Sequence, residues 1–387
     1  MTIDARGCVV CPGLVDIHAH LRYPGFVEKE TIASGTSAAV RGGFTTVCAM
    51  ANGEPPTDSP ARVEQLNAMV QSEGRCRVAV VGAITRNLAG SGPADWSALK
   101  HEGCTALSDD GNPVMSPELM ADALRASERL GVPVIAHEET RDGTDAGAPN
   151  PCWTCAGEAA MVERDIELVR RYGGRLHIAH VSCDRSVELI GAAQAAGLAV
   201  TAEAAPHHLD LSLCEDAPSL GLPPAHGCRK VNPPLRARRD VEAVRAGLSD
   251  GIIDSVATDH APHALSEKLG GMGPAAFGFT GFELALPLLL RLVRVGQLSL
   301  VQAIARLTCG PARTLGLDAG SLAVGRRADI CVFDPLSEWT PTRDTLVSKS
   351  KNSPFHGQKL QGRVRFTIQA GEVHSFAGDH ALRAARA

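Results

Sequence analysis

The stretch GLVDIHAHLR, residues 13–22, joins an apolar run to two histidines that stand one residue apart. In a strand, residues i and i+2 point to the same face, so His18 and His20 are expected to project side by side, with Arg22 on that face too. Two imidazoles on one face suit a shared metal ion. An isolated pair of this kind is more often a pair of surface or capping histidines, so the surrounding sequence is needed to decide.

Around this stretch the chain alternates between short β-branched runs and amphipathic helical patterns. The predicted strands are Val9–His20, Thr45–Met50, Arg77–Ala83, Thr105–Ser108, Val132–His137, Arg175–His180, Ala199–Ala204 and Asp254–Asp259. The predicted helices are Lys29–Arg41, Ser59–Ser72, Asp95–His101, Pro117–Leu130, Glu158–Tyr172, Ser186–Ala196, Arg238–Ser249 and Phe282–Val295. Eight strands that each lead into a helix predict an α/β fold of the (β/α)8 TIM barrel type. A doubly wound open sheet is the competing fold, but no G-x-G-x-x-G follows a strand.

The alternation of strand and helix patterns stops after Leu317. The stretches GSLAVGRRADICVFDP and GRVRFTIQAGEVH indicate short strands with glycine turns. We therefore predict a short N-terminal β segment over residues 1–11, the barrel over 12–317, a small β segment over 318–377 and a flexible tail over 378–387. The small β domain is expected to form mainly from the C-terminal segment. How complete its sheet is depends on how many strands the N-terminal segment adds.

Bulk composition excludes several functional classes. The 387 residues are 44% hydrophobic and 21% charged, which is ordinary for a soluble globular protein. A net charge of −5 argues against a nucleic-acid-binding surface, which would be basic. No apolar run reaches membrane-spanning length and no signal peptide is recognisable, so a cytoplasmic protein with no membrane partner is expected.

The twelve cysteines are expected to be reduced thiols, since nothing marks the chain for export. They include two C-x-x-C pairs, Cys8/Cys11 and Cys152/Cys155. These pairs lie much farther apart than the two pairs of a zinc ribbon, which disfavours a structural zinc site built from them.

Polar residues recur where the predicted strands end. In a barrel these ends meet on the face that carries the active site. The residues at this face are His18 and His20 after the first strand, Asp109 and Asp110 after the fourth, His137 after the fifth, His180 after the sixth, and Asp259 after the eighth. Each has an ordinary structural explanation alone. Together, imidazole and carboxylate ligands at one end of a barrel predict a pair of zinc-like ions.

With these residues in place, the chain resembles the amidohydrolase superfamily and, within it, the bacterial type I dihydroorotases. The resemblance covers nearly the whole chain. The motifs that carry it are PGLVDIHAHLRYPGF, AVRGGFTTV, ALSDDGNPVM, PVIAHEE, LHIAHVS, KVNPPLR, ATDHAPH and KSKNSPFHGQKLQG.

The resemblance implies a role for each matching residue. His18, His20 and Asp259 are expected to bind the first of two Zn²⁺ ions, other divalent metals being an alternative, and His137 and His180 to bind the second. Asp110 is expected to bridge them, where relatives use a carbamylated lysine. Asp259 would also be the catalytic acid/base. The substrate-binding residues are expected to be Arg22, which would clamp a carboxylate, together with Asn52, Asn232, His263, Phe277 and Gly278.

The implied activity is that of a zinc-dependent cyclic amide hydrolase. A dihydroorotase interconverts N-carbamoyl-L-aspartate with (S)-dihydroorotate and water in de novo pyrimidine biosynthesis, through a metal-bridged hydroxide and an aspartate acid/base. The implied partners are this small-molecule substrate, a second copy of the chain in a homodimer, and in some assemblies aspartate transcarbamoylase. The planar fork of Arg22 suits a carboxylate in a way that a lysine does not.

Several features depart from the family pattern, and two rival functions remain open. Ala51-Asn52-Gly53 replaces the usual Pro-Asn-Thr, HEET replaces His-Cys-Glu-Asp, and GFTGFEL varies the substrate loop. One rival is a sister cyclic amidase, either a hydantoinase/dihydropyrimidinase or an allantoinase, although those relatives carry a bridging lysine and lack the arginine of HLR. The other is an inactive dihydroorotase-like subunit that scaffolds aspartate transcarbamoylase, although such subunits lose metal ligands.

Overall fold

The computed structural model describes residues 2–140, 155–213, 226–269, 271–376 and 382–383. Within them lie fourteen strands, which are β1 (Thr2–Ile3), β2 (Val9–Pro12), β3 (Leu14–Ala19), β4 (Phe44–Ala49), β5 (Arg77–Gly82), β6 (Ala106–Leu107), β7 (Val134–Ala136), β8 (Leu176–Ile178), β9 (Val200–Ala204), β10 (Ser255–Val256), β11 (Ile330–Trp339), β12 (Leu360–Gln369), β13 (Glu372–Ser375) and β14 (Leu382–Arg383).

The strands β3 to β10 form one parallel sheet in chain order. The two ends of this sheet meet, because Ala19 at the end of β3 bridges in parallel to His260, just beyond β10. The backbone N–H of His20 donates to the carbonyl of His260 at 2.9 Å. Small and β-branched side chains such as Val15 and Ile17 fill the interior. The predicted (β/α)8 barrel is confirmed.

Helices cover the outside of the barrel. Their ranges in the described chain are α1 (Ile32–Arg41), α2 (Pro60–Glu73), α3 (Trp96–His101), α4 (Pro117–Leu130), α5 (Ala156–Tyr172), α6 (Asp184–Ala195), α7 (Pro206–Asp210), α8 (Arg238–Asp250), α9 (Phe282–Arg294), α10 (Leu300–Arg306) and α11 (Cys309–Leu315). The predicted start of the first helix at Lys29 is wrong, because Thr31 caps it: its hydroxyl accepts a hydrogen bond from the Ser34 N–H, and the Ser34 hydroxyl reciprocates.

The predicted strand Val9–His20 is two strands in two different sheets. Its first part, β2, pairs antiparallel with β11, whereas β3 pairs parallel with β4 in the barrel. Gly13 separates them at a crowded crossing, where a Cβ would lie 2.2 Å from the hydroxyl oxygen of Thr45. Only glycine permits this approach, so the chain passes directly from the small sheet into the barrel.

The small sheet has four antiparallel strands in the order β13-β12-β11-β2. Three of them come from the C-terminal part of the chain, which agrees with the expected small β domain. Beyond it, β14 pairs antiparallel with β1, and the rest of the predicted tail lies outside the described residues. The division of the chain into domains at residues 11, 317 and 377 stays a prediction. Among the described residues, no helix combines the length and the apolar character needed to span a membrane.

Candidate active site

Two histidines and one carboxylate meet where β3 and β10 end. His18 is fully buried in β3, and His20 follows at its end. The Nε2 atom of His20 lies 3.1 Å from Asp259 Oδ1, and that of His18 lies 4.0 Å from the same oxygen. These three side chains present their ligand atoms within 4.8 Å of one another. They are the residues predicted for the first metal.

A second group forms around Asp110, which follows β6. Its Oδ1 atom lies 3.2 Å from His18 Nε2, 3.3 Å from His137 Nδ1 and 3.4 Å from His180 Nε2. Its Oδ2 atom lies 3.5 Å from His20 Nε2. One carboxylate therefore contacts histidines of both predicted metal sets, as a bridging ligand must.

Asp109, the other aspartate of the same motif, faces away from this group. Its carboxylate accepts hydrogen bonds from the backbone N–H groups of Ile84 and Thr85, at 2.8 and 2.9 Å, and from the Thr85 hydroxyl. Asp109 therefore fixes the loop at Ile84 and Thr85, and Asp110 is the aspartate available to bind a metal ion.

The spacing of these side chains fits zinc. Two ligand atoms that each lie about 2.0–2.1 Å from a tetrahedral zinc ion are about 3.3 Å apart, which matches the separations around Asp110. The Nε2 atom of His18 is buried and makes no well-aligned hydrogen bond among the described residues, although Asp110 Oδ1 lies 3.2 Å away. A metal ion bound between these two atoms would satisfy both of them. The donor set, nitrogen and carboxylate oxygen only, also suits zinc.

The cluster is strongly polarised even without an ion. Burial alone would raise the pKa of Asp110, but the His18 charge and imidazole hydrogen bonds hold that pKa well below its usual value. Asp259 likewise has a lowered pKa, because contacts with His20 and His18 outweigh burial. Burial opposes charge on His137, yet Asp110 and Glu139 raise its pKa to about 10. A cation that binds His137 must therefore displace a proton from its imidazole.

The backbone is strained at the same place. Six non-glycine residues in the described chain have positive φ angles, and three of them belong to the site: Arg22 at 58°, His180 at 34° and Asp259 at 47°. Such conformations are unfavourable for residues with a Cβ and persist where surrounding structure imposes them. Holding these three side chains in position therefore lowers the folding stability of the barrel.

A cavity of about 340 Å³ opens above the cluster. Asn52 accepts a hydrogen bond from His20 Nδ1 at 3.0 Å and donates to the Asp110 carbonyl at 3.2 Å. Asn232 Nδ2 lies 3.2 Å from His137 Nε2 and donates to Glu139 at 2.8 Å. Both amides are thus held against the ligand cluster and face the cavity.

Arg22 supplies a cation to this cavity. Its Nε donates to the carbonyl of Pro262 at 3.1 Å. Its Nη2 lies 3.1 Å from His263 Nε2, which also contacts the carbonyl of Phe277 at 2.7 Å. No carboxylate of the described residues lies within ion-pair distance of its guanidinium, although the side chain is half-buried and partial desolvation lowers its pKa. A half-buried cation without a carboxylate partner in the protein suits an anionic ligand.

The loop carrying Phe277 and Gly278 forms the cavity rim. Gly278 has a φ of 106°, and a Cβ there would lie 2.3 Å from the Ala261 Cβ. The buried ammonium of Lys268 donates to the carbonyls of Lys230, Ala276 and Gly278 at 3.3, 2.5 and 2.8 Å. All three of its N–H bonds are thereby used to fix the loop.

Comparison with known proteins agrees with this geometry. The amidohydrolase family profile matches residues 9–374, almost the entire chain. The chain belongs to the amidohydrolase family.

Curated relatives of this amidohydrolase include several dihydroorotases. The dihydroorotase of Trichlorobacter lovleyi is 43% identical over 96% of this chain and 88% of its own length. That of Anaeromyxobacter sp. strain K is 45% identical over 96% of this chain and 87% of its own length. Among solved structures, the L-hydantoinase (dihydropyrimidinase) from Arthrobacter aurescens has a TM-score of 0.88 and 25% identity, and covers 99% of this chain and 88% of that one.

The amidohydrolase brings all the predicted site residues together. Eleven line the cavity: His20, Arg22, Asn52, Asp110, His137, His180, Asn232, Asp259, His263, Phe277 and Gly278. His18, the remaining one, lies beneath it. Their individual roles stay predictions.

Sequence reasoning missed the residues that hold the ligands in place. Glu203 in β9 accepts from His18 Nδ1 at 2.6 Å and contacts His177 Nε2 at 3.1 Å. Although burial alone would raise the pKa of Glu203, the two histidines lower it to about 2, so it is anionic. A carboxylate within the buried run VTAEA was the available signal. Lys268 was missed because nothing local distinguishes it from a surface lysine.

Proposed function

We propose that this amidohydrolase is a dihydroorotase, which interconverts N-carbamoyl-L-aspartate with dihydroorotate and water. The observation that carries the proposal is Arg22, a half-buried cation without a described carboxylate partner, placed in the cavity beside the histidine–aspartate cluster. Dihydroorotate is a cyclic amide that bears a carboxylate. The cavity therefore offers a partner for each group: the histidine–aspartate cluster for the cyclic amide and Arg22 for the carboxylate.

We further propose that two Zn²⁺ ions bind here, one to His18, His20 and Asp259 and one to His137 and His180, with Asp110 shared between them. Ions held in this way supply a Lewis acid for the ring amide carbonyl and a water of lowered pKa. The anionic pair of Asp110 and Asp259 keeps the site attractive to divalent cations.

The proposed chemistry assigns each side chain a task. Arg22 binds the substrate carboxylate through its planar fork and fixes the ring. Asn52, Asn232 and His263, together with the backbone at Phe277 and Gly278, bind the remaining polar atoms of the substrate. In hydrolysis the Asp259 carboxylate takes a proton from the attacking water and passes it to the departing ring nitrogen, and ring closure reverses these transfers.

The assembly and location of the protein follow from the same resemblance. We propose a homodimer in the cytoplasm, either alone or in complex with aspartate transcarbamoylase.

The alternative is a hydantoinase or dihydropyrimidinase. The observation in its favour is the backbone similarity to the Arthrobacter aurescens enzyme. Ring-opening of a neutral cyclic amide, however, leaves the half-buried Arg22 without a carboxylate partner, a costly arrangement for a binding site. An allantoinase faces the same difficulty.

The test is hydrolysis of dihydroorotate by purified, zinc-loaded protein, with metal content measured on the same sample. We expect turnover and about two zinc ions per chain. An inactive protein with both ions bound contradicts the proposal and supports the scaffold alternative.

A further inference from the structure

A second cluster of metal-binding side chains lies where α5 and α6 begin. Cys155 directly precedes α5, and Cys183 and Asp184 stand at the start of α6. The two thiol sulfurs and one Asp184 oxygen lie within 4.8 Å of one another. None of the three residues lines the active-site cavity.

We propose that Cys155, Cys183 and Asp184 bind a thiophilic divalent cation of the zinc class, separate from the catalytic centre. Thiolate sulfur with one carboxylate oxygen is a donor set that favours zinc over magnesium or calcium. Three protein ligands leave a fourth position for water.

The distances are close to those that a bound ion requires. Cys155 Sγ lies 3.9 Å from Asp184 Oδ1. A tetrahedral zinc ion, with bonds of about 2.3 Å to sulfur and 2.0–2.2 Å to oxygen, places these atoms about 3.5 Å apart. Only a small inward movement of a half-buried side chain is therefore needed.

Neighbouring groups favour the binding of a cation by these three residues. Cys183 is completely buried, and the Ser186 hydroxyl lies 3.2 Å from its sulfur, where it can donate to a thiolate. Both cysteines occupy helix N-cap positions, where the helix dipole stabilises negative charge. The contact with Cys155, and then burial, raises the pKa of Cys183, so an ion must displace a thiol proton.

A neighbouring carboxylate adds negative charge. Asp240 is buried, and its Oδ1 accepts from the backbone N–H of Asp184 at 3.2 Å. Burial raises the pKa of Asp240, the backbone N–H of Asp184 opposes that rise, and the Asp184 carboxylate adds to it. Arg239 is largely exposed and lies 3.8 Å from Asp184 Oδ2. Asp184 Oδ1 accepts from the backbone N–H of Arg185 at 2.7 Å and faces Cys155 Sγ with its remaining lone pair. A divalent cation would relieve the repulsion between the two aspartates.

Cobalt(II) provides a test that does not depend on catalysis. The catalytic cluster contains only nitrogen and oxygen donors, so a strong sulfur-to-cobalt charge-transfer absorption in the near ultraviolet reports cysteine ligation alone. Cobalt is added to metal-free protein in a phosphine reductant. We expect this absorption to saturate at one cobalt ion per chain, in addition to the ions taken up by the catalytic centre.

Substitutions show which residues produce the charge-transfer absorption. We expect Cys155→Ser and Cys183→Ala to abolish the absorption, and Asp184→Asn to weaken cobalt binding at this site by about 10–100-fold. The matched control is Cys228→Ser, a half-buried cysteine outside the cluster that should keep the absorption. Circular dichroism and the melting temperature confirm folding, and Asp184→Asn serves if Cys183→Ala does not fold.

Three results would overturn the proposal: no charge-transfer absorption in the wild type, an absorption that survives Cys183→Ala, or one that disappears in Cys228→Ser. A disulfide between Cys155 and Cys183, seen as two missing thiols under the assay conditions, would also contradict it.

Discussion

Asp259 carries the proton in the proposed reaction. Its carboxylate lies 3.1 Å from His20 Nε2 and lines the cavity. Asparagine keeps an oxygen for the metal but cannot take a proton, so Asp259→Asn should fold, retain much of its zinc and lose about 10²–10⁴-fold in kcat. Steady-state hydrolysis of dihydroorotate together with zinc analysis measures both quantities.

The two directions of the reaction should respond to pH in opposite ways. Hydrolysis needs the Asp259 unit unprotonated, so its rate should rise with pH, whereas ring closure needs the unit protonated and should fall. The apparent pKa values belong to the coupled site. Near-normal turnover by Asp259→Asn, in either direction, would exclude the assigned role.

Glu203 acts through His18 and contributes no direct contact to the cavity. Because the anionic carboxylate fixes His18 Nδ1 as the donor, it leaves Nε2 for the metal. We expect Glu203→Gln to weaken zinc affinity by about 10–100-fold. Activity should recover when zinc is raised, which a folding defect would not allow. Chelator competition measures the affinity, and unchanged affinity in Glu203→Gln would refute this role.

At the level of elements, the loop around Phe277 and Gly278 depends on one buried lysine. Burial lowers the pKa of Lys268 to about 8, Cys228 opposes this, and Lys230 adds to it. Below that pH the ammonium donates to three carbonyls, and above it the neutral amine keeps only two N–H bonds. The KM for dihydroorotate should therefore rise as pH increases through about 8.

Two lysine variants distinguish the titration of Lys268 from the titration of other groups. Lys268→Met should have a raised KM at pH 7 that no longer changes near pH 8, whereas the exposed control Lys100→Met should behave as the wild type does. A wild-type KM that stays constant from pH 7 to 9 would contradict the role of Lys268.

The sequence predicts most of the elements because each is encoded locally. Pro117–Leu130 is predicted to the residue, since Ser116 caps the helix, Pro117 opens it and Gly131, in the left-handed region, ends it. The split at Gly13 could not be predicted, because an apolar run continues through it and the crowding comes from Thr45 in another strand. The proposed metal ligands were predictable because each lies at or just after the end of a strand, whereas Asn232, Phe277 and Gly278 were predicted only through the family resemblance.

Contacts across the barrel were not predictable in this way. Glu203 and His18 lie 185 residues apart and meet only because the eight strands close into a ring. The three carbonyls that Lys268 holds belong to segments that the sequence marks only as loop. Such contacts require the folded structure.

At the level of the whole molecule, the ions proposed for the catalytic centre should also stabilise the fold. Ligands come from five barrel strands, and a group that binds only the folded state stabilises it by about 4 kcal/mol when its free concentration is about a thousand times Kd. Removal of metal by a chelator should lower the melting temperature by several degrees and abolish activity.

A matched pair of variants assigns this effect to the centre. His18→Ala should lose zinc and show little response to chelator, whereas the exposed control His101→Ala should respond as the wild type does. Full activity in a protein shown to be metal-free would disprove the proposed centre.

The specificity of the whole site tests the proposed function most directly. The measurement is the ratio of kcat/KM for dihydroorotate to that for dihydrouracil, which has the same ring without the carboxylate. Because dihydrouracil leaves Arg22 without a carboxylate partner, we expect the wild-type ratio to reach about 10⁴, the discrimination shown by sites built around a polar substrate group. Arg22→Gln should reduce it toward one. A wild-type ratio near one would contradict the account and identify a hydantoinase-type enzyme.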